Sequence, residues 1–306
     1  MNIGKFLVFT GLFLATLAAA SSLTVSSQDA ETETIAVERG RYVVQAAGGC
    51  TCHSNPELSD FSLSGGRSIA TPFGTIYGTN LTPDPDTGIG GWSDDDFMKA
   101  MREGIGPDGK VYYPVFPYTS FTKMTDEDVL DMKAYLDTLE PVKNENKEPE
   151  FSFPYSARAS VRVWRGLNFD PGRYETDPEQ ADEWNRGAYL SQAVAHCGEC
   201  HTPRTFMGAT DDDMYYAGSV EGPEGELAPN ITPDERTGVG SWSIADMTWF
   251  LQTSFKPDGD DAQGLMGELV THGYQYLTDA DLKAVAVYLA SVEAIENEVN
   301  EVKAPE

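Results

Sequence analysis

The 306-residue chain sets 21 Lys and Arg against 49 Asp and Glu, a net charge of −28. With 40% apolar and 23% charged residues it has the composition of a folded chain, which excludes disorder as its general state. So negative a surface repels phosphate backbones and argues against nucleic-acid binding; it favours solubility and locally basic docking faces, and it equally fits an acidic, salt-adapted proteome.

The N-terminus has one cationic side chain, Lys5, then an apolar run from Phe6 to Ala20 and a small-residue stretch, Ala18-Ala19-Ala20. Charged start, short apolar run and small-residue stop read as a secretory signal. The rival reading is an uncleaved anchor, since Phe6 to Val25 approaches the roughly 20 residues needed to cross a bilayer, although Ser21, Ser22 and Thr24 weaken it. Residues 1–30 are therefore assigned to a signal peptide or N-terminal anchor. Both readings export the rest of the chain to a space where paired thiols become disulfides or are otherwise used.

Beyond this segment the chain repeats itself. Glu38-Arg39-Gly40-Arg41-Tyr42 leads to Cys50-Thr51-Cys52-His53, and Asn185-Arg186-Gly187-Ala188-Tyr189 leads to Cys197-Gly198-Glu199-Cys200-His201. Asn80-Leu81-Thr82-Pro83-Asp84 returns as Asn230-Ile231-Thr232-Pro233-Asp234, each followed by a Thr-Gly turn and then Trp92 or Trp242. Pro107-Asp108-Gly109 matches Pro257-Asp258-Gly259, and Thr125-Asp126-Glu127-Asp128 matches Thr278-Asp279-Ala280-Asp281. An offset of roughly 150 residues is too long for a solenoid and means two copies of one unit.

Each copy reads as short helices joined by long turns. Ser93, Thr125, Ser243 and Thr278 each open a Ser/Thr-x-x-Asp string, whose hydroxyl caps the first turn of a helix. Val129, Met132, Tyr135, Leu136 and Leu139 then share a helical face, as do Leu282, Val285, Tyr288 and Leu289. No run of alternating strands is evident. The expected fold class is all-α, and a loop-heavy helical unit of this size has a thin core that something else must fill. The boundaries read as 31–140 for the first unit, 141–182 for a linker, 183–292 for the second unit and 293–306 for an acidic tail expected to fray. Within the linker, Ala157 to Leu167 predicts a short basic helix with Arg158, Arg162 and Arg165.

Cys197-x-x-Cys-His201 has the spacing of covalent c-type haem attachment: two thiols add to the porphyrin vinyl groups and the next residue swings under the ring to reach the iron. A redox Cys-x-x-Cys or half of a zinc site is the alternative, but zinc takes four ligands and two Cys with one His per copy leave a gap. The first copy, Cys50-x-Cys52-His53, is one residue short. Counted from Gly40 and Gly187, Cys50 aligns with Cys197, so the deletion falls between the cysteines and strains or removes one thioether, while Cys52 keeps its place beside His53. His196 and His272 have no counterpart in the first copy and read as surface or polar-network residues.

On these two cysteine segments, the paired Asn-x-Thr-Pro-Asp…Gly-x-Trp-Ser segments and Gly264-Leu265-Met266-Gly267-Glu268, the chain resembles diheme c-type cytochromes, particularly the cytochrome subunits of bacterial membrane-associated dehydrogenases acting on alcohols, sugars or sugar acids. The resemblance implies two tandem class I cytochrome c-like domains and two haem c groups, held by Cys50, Cys52, Cys197 and Cys200. It implies His53 and His201 as proximal iron ligands and Met266 as the distal ligand of the second haem. In the first copy the Pro-x-Met-Pro-Tyr string of the family reads Pro114-Val115-Phe116-Pro117-Tyr118, which leaves Met124 as the nearest candidate; Met98, Met101 and Met132 lie within predicted helices and read as core. Trp92, Trp242, Tyr118 and Arg204 are candidates for the haem pockets, with ordinary core or surface roles as the alternative.

A His/Met pair fills both axial positions, so such an iron only cycles between oxidation states. The expectation is a periplasmic electron-transfer protein, soluble or attached to the inner membrane, that takes electrons from a dehydrogenase subunit and passes them to a cytochrome, oxidase or quinone of the respiratory chain, with no catalytic residues of its own. The alternative is a diheme redox enzyme of the peroxidase or thiosulfate dehydrogenase type, which needs an open or labile first site.

Overall fold

The computed structural model describes residues 31–54 and 62–300; the expected signal or anchor, and the tail from 301, lie outside the described residues. The chain is mostly helical. In chain order the helices are α1 (31–46), α2 (Asp94–Glu103), α3 (Tyr118–Phe121), α4 (Asp126–Leu136), α5 (Arg158–Asn168), α6 (Asp182–Tyr189), α7 (Gly198–His201), α8 (Ile244–Thr253), α9 (Gly264–His272) and α10 (Asp279–Leu289). None among the described residues is long and apolar enough to cross a membrane.

The helices begin where the hydroxyls predict. Ser93 and Ser243 accept from the backbone N–H of Asp96 and Asp246, whose carboxylates accept in return from the serine N–H. Thr125 and Thr278 accept from Asp128 and Asp281. Each cap satisfies an otherwise orphaned donor and stabilises its helix by about 1 kcal/mol. The predicted apolar faces are inward: Val129, Met132 and Leu136 are buried on α4, and Leu282, Val285, Tyr288 and Leu289 on α10.

One departure is a small antiparallel sheet in the order β1 (Ser68–Thr71), β2 (Gly74–Tyr77), β3 (Glu150–Phe151), with Ile69 opposite Ile76 and Gly74 opposite Phe151. Strands of four and two residues are too short to show a period of two, so pattern reading passes over them.

In each repeat the first helix crosses the last at a glycine. A Cβ on Gly187 would lie 1.9 Å from the Ala284 carbonyl oxygen and 3.0 Å from Tyr288 Cβ; one on Gly40 would lie 1.7 Å from the Asp131 oxygen and 3.0 Å from Tyr135 Cβ. Here the backbones touch, which no larger residue permits.

The repeats meet reciprocally. Tyr42 on α1 donates to Asp281 at 2.7 Å and accepts from the Thr278 N–H at 3.1 Å, at the start of α10. Tyr189 on α6 donates to Asp128 and accepts from the Thr125 N–H at 3.1 Å, at the start of α4. Each repeat thus caps the last helix of the other with a tyrosine from its own first helix.

Candidate functional site

The two histidines are held alike. His53 Nδ1 lies 2.8 Å from the Thr79 carbonyl oxygen, and His201 Nδ1 lies 2.7 Å from that of Pro229. A carbonyl accepts only, so each Nδ1 carries the proton and Nε2 is left as the nitrogen with a lone pair for a metal. Burial pushes both imidazoles below their ordinary pKa, and the hydrogen bond partly opposes it, so both rings are neutral.

The repeated Asn-x-Thr-Pro-Asp segment explains how those carbonyls are fixed, since each directly precedes the asparagine. Asn80 Nδ2 donates to Thr87 Oγ1 at 3.1 Å and the Val142 carbonyl at 2.7 Å, while its Oδ1 accepts from Thr82 N and Oγ1 at 2.9 and 2.7 Å. Asn230 does the same with Thr237 at 3.0 Å, Ile295 at 2.7 Å, and Thr232 at 2.9 and 2.7 Å. Every donor and acceptor of a buried amide is satisfied, which makes a rigid knot. Gly88 and Gly238 complete it, because a Cβ there would come within 2.0 and 2.2 Å of the Thr82 and Thr232 oxygens. The knot also corrects the reading of the tail. Ile295 N–H donates to Thr232 and Asn297 Nδ2 to the Ala217 carbonyl, so these residues are tied down rather than frayed. The start of the linker is tied in the same way, with Asn144 Nδ2 on the Ser64 carbonyl.

No disulfide joins any of the four cysteines. Burial pushes Cys50, Cys197 and Cys200 up to about 12. It also raises Cys52, beside which the Arg67 guanidinium acts in the opposite direction. Among the described residues no group of three or more His, Cys, Asp or Glu side chains is placed to hold a metal ion.

The two cysteine segments differ in backbone. Cys197 has helical angles and leads into α7, after a π turn over Leu190–Val194 and a left-handed His196 at φ 42°. The first segment winds as a 3-10 turn, Gly48–His53, with Gly48, Gly49 and Cys50 all left-handed at φ 70°, 68° and 54°. Left-handed backbone costs a non-glycine residue about 1–2 kcal/mol, so Cys50 is strained while its two preceding glycines are not. The one-residue difference is therefore spread over the approach to the motif as well as the span between the cysteines.

The motifs lie against each other's repeats. Cys52 is close enough to act on the Cys200 thiol. A Cβ on Gly48 would meet Leu269 of α9 at 2.3 Å, and one on Gly49 the His272 oxygen at 2.5 Å. In the other direction Thr119 and Ser120 of α3 donate to Glu199, inside the second motif, at 2.7 and 2.8 Å, and Phe121 meets the His196 ring at 5.2 Å. Burial works against the Glu199 charge, but Arg204 and the two hydroxyls outweigh it and hold the carboxyl below its ordinary range. Beside Cys52, Arg67 is 6% exposed and bridges Glu224 at 2.6 Å and Glu268. Arg67, Glu199 and the Gly48-Gly49 pair are not among the site residues the sequence predicts. Only the glycine doublet carried a local signal; the rest are assembled by packing between repeats.

The remaining candidates fall as follows. Met266 is half-buried on α9 and packs on the core. Met124 is fully buried directly before the Thr125 cap, its carbonyl accepting from Arg102 at 2.7 Å. Met101 and Met132 are core residues, and the Met98 sulfur accepts from Arg102 at 2.9 Å. Trp92 and Trp242 are half-buried just ahead of α2 and α8, with Trp242 against Phe250 at 5.5 Å. Tyr118 is fully buried with an unpartnered hydroxyl, its ring 5.1 Å from Phe169. Arg204 binds Glu199 at 3.0 Å.

The residues fit a covalently attached haem. Each repeat offers adjacent neutral thiols, an imidazole oriented through Nδ1, and apolar and aromatic walls. Buried hydroxyls without a protein partner lie on Thr51, Ser54, Tyr118, Ser191 and Tyr216.

No protein-family model matches the chain. It is 42% identical over 260 residues to a fructose dehydrogenase cytochrome subunit of Gluconobacter japonicus, 84% of this chain and 53% of that protein. It is 40% identical over 262 residues to a diheme c-type cytochrome of Cereibacter sphaeroides, 84% of this chain and 86% of that protein. It is 38% identical over 299 residues to the gluconate 2-dehydrogenase cytochrome c subunit of Pantoea cypripedii, 92% and 64% of the two chains. The chain thus spans about half the length of the fructose dehydrogenase subunit and most of the diheme cytochrome.

Proposed function

The chain belongs to the c-type cytochromes represented by the diheme protein and dehydrogenase subunits it matches, and from that premise we propose that it is a periplasmic electron-transfer protein with two covalently bound haems. Its two units, 31–140 and 183–292, are tandem class I cytochrome c-like domains joined by 141–182. The observation that carries this reading is the twofold recurrence of one device: an imidazole pinned through Nδ1 to the carbonyl before a hydrogen-bonded asparagine knot.

Cys50, Cys52, Cys197 and Cys200 are the attachment residues, His53 and His201 the proximal ligands, and Met266 and Met124 the distal candidates. Bound there, haem supplies a one-electron ferric/ferrous couple. The chain contributes the rest. Thr79 and Pro229 orient the imidazoles, while Trp92, Trp242 and Tyr118 wall the pockets and exclude water. Arg204 neutralises Glu199 at the second motif. The packing of Gly48 and Gly49 against α9, and of Thr119 and Ser120 on Glu199, supports electron passage between the two sites within one molecule. A dehydrogenase subunit is the donor, and a cytochrome, oxidase or quinone the acceptor.

Phe116 favours a second reading at the first site. It stands seven residues after Gly109, as Met266 does after Gly259, and packs between Tyr112 and Phe121 at 5.7 and 5.6 Å. Met124 is held in the core at the position that Leu277 takes in the other repeat. If the first iron lacks a sixth protein ligand, small-ligand chemistry of the peroxidase or thiosulfate dehydrogenase type opens there.

The test is haem staining on a denaturing gel, with a haem-to-protein ratio and carbon monoxide titration of the reduced protein. Two haems with no carbon monoxide binding support the carrier; one binding site supports the open first iron. In either case Met266→Leu should create one further binding site. Colourless protein without iron overturns both readings.

A further inference from the structure

Helix α5 turns its apolar side outward. Only Val161 is buried, whereas Val163 and Leu167 are 61% and 69% exposed and share a stripe with Ala159 and Gly166. The helix is nevertheless firmly seated: Trp164 Nε1 donates to the Met207 carbonyl at 2.8 Å, Arg165 Nε to the Glu103 carbonyl at 2.9 Å, and the Arg158 guanidinium lies 4.7 Å from the Tyr113 ring centre. The Met207 contact sets its neighbour Phe206, 92% exposed, beside α5. Gly208 packs on the Phe73 ring, and Phe73 on Tyr155 at 4.6 Å, which extends the face toward Phe153, 84% exposed. So many large apolar side chains exposed together mark an interaction site rather than ordinary surface.

Along the α5 segment the charge is the reverse of the molecule's, with Arg158 offset by Glu148 at 3.6 Å. Phe151 to Phe169 holds three Arg and no Asp or Glu, in a chain of net charge −28. Its position bears on the electron path. Phe169 at the end of α5 touches Tyr118, and Phe206 follows two residues after Arg204, which binds inside the second cysteine motif.

We propose that this face, centred on Val163, Leu167 and Phe206 with Arg162 at its edge, is where the donor dehydrogenase subunit seats, through an apolar patch bordered by carboxylates. The proposal rests on the electron-carrier reading above. An anionic bilayer is a poor occupant, because the chain's net charge of −28 opposes it. A second copy is also poor, since two molecules of net charge −28 repel each other.

The test uses tagged, haem-loaded full-length protein expressed in its source organism and extracted in mild detergent. The readout is co-purifying dye-linked dehydrogenase activity on a panel of alcohols, sugars and sugar acids, per haem. Leu167→Ser with Phe206→Ser should lower it about tenfold or more, as expected for interface anchors. Arg162→Glu should lower it too, with haem content and visible spectrum unchanged in both variants. Equal activity with wild type and variants overturns the face while leaving the carrier reading intact. No dehydrogenase activity with wild type overturns both. A dimer in sedimentation, or flotation with phosphatidylglycerol vesicles, that these substitutions abolish assigns the face to another occupant and also overturns the proposal.

Discussion

Gly187→Ala sets two effects of opposite sign against each other. Alanine is better than glycine within a helix by about 0.5–1 kcal/mol, so a neutral environment would gain stability. At Gly187 the added Cβ falls 1.9 Å from the Ala284 carbonyl oxygen, 2.4 Å from its carbon and 3.0 Å from Tyr288 Cβ. Ordinary contact begins near 3.4 Å, so α6 and α10 must separate by more than an ångström, and the neighbour is backbone, which cannot rotate aside. Overpacking of this kind costs about 1–3 kcal/mol and sometimes more, which exceeds the propensity gain. We expect a net loss of about 2 kcal/mol, or a fall in melting temperature of about 4–8 °C for a protein of this size. Gly166→Ala is the control, since nothing lies within 4 Å of a Cβ there on α5, and it should raise the melting temperature by about 1–4 °C. Thermal melts by circular dichroism read both. A Gly187→Ala protein as stable as wild type, or less perturbed than Gly166→Ala, would refute the close-crossing argument.

Asp281 gives a pH signature. Burial works against its charge, but Arg186 and Tyr42 outweigh it and hold the carboxyl below its ordinary 3.8. A depressed native value contributes stability above the ordinary range and loses it as pH falls through the native value. Asp281→Asn should therefore cost about 1–2 kcal/mol near neutrality, and its deficit against wild type should begin to shrink as pH falls past 3.8 and close below the depressed native value in acid melts. Asn230→Ala removes the four hydrogen bonds to Thr237, the Ile295 carbonyl and the Thr232 N–H and hydroxyl; we expect a loss of about 1–3 kcal/mol in denaturant titration, and a loss within 0.5 kcal/mol would contradict the knot. Cys50→Ser should retain haem in the first repeat through Cys52, whereas Cys52→Ser should lose it, as read by mass spectrometry of haem-bearing proteolytic peptides.

Much of this was legible in the residue order because it is local or repeated. Hydroxyls at Ser93, Thr125, Ser243 and Thr278 mark helix starts through hydrogen bonds that span only three residues. The spacing from Cys197 to His201, on which the proposed haem attachment rests, occupies five consecutive positions. The duplication identified the Asn-x-Thr-Pro-Asp segment as important without revealing that it holds a carbonyl against an imidazole. The short sheet was passed over because its strands lack a readable period. The acidic composition of the tail says nothing of the Asn230 and Thr232 partners, roughly 60 residues away, that hold Ile295.

Residue order by itself therefore determined the helical character, the twofold construction and the cofactor chemistry, since each is written in short spacings or in their recurrence. Tertiary structure alone decided that the first helix of each repeat caps the last helix of the other, that Thr119 and Ser120 reach Glu199, and that α5 shows its apolar side to solvent. Those outcomes depend on partners tens to hundreds of positions apart. Which of the available surfaces a side chain meets is settled when the whole chain competes to bury its apolar area and satisfy its polar groups at once.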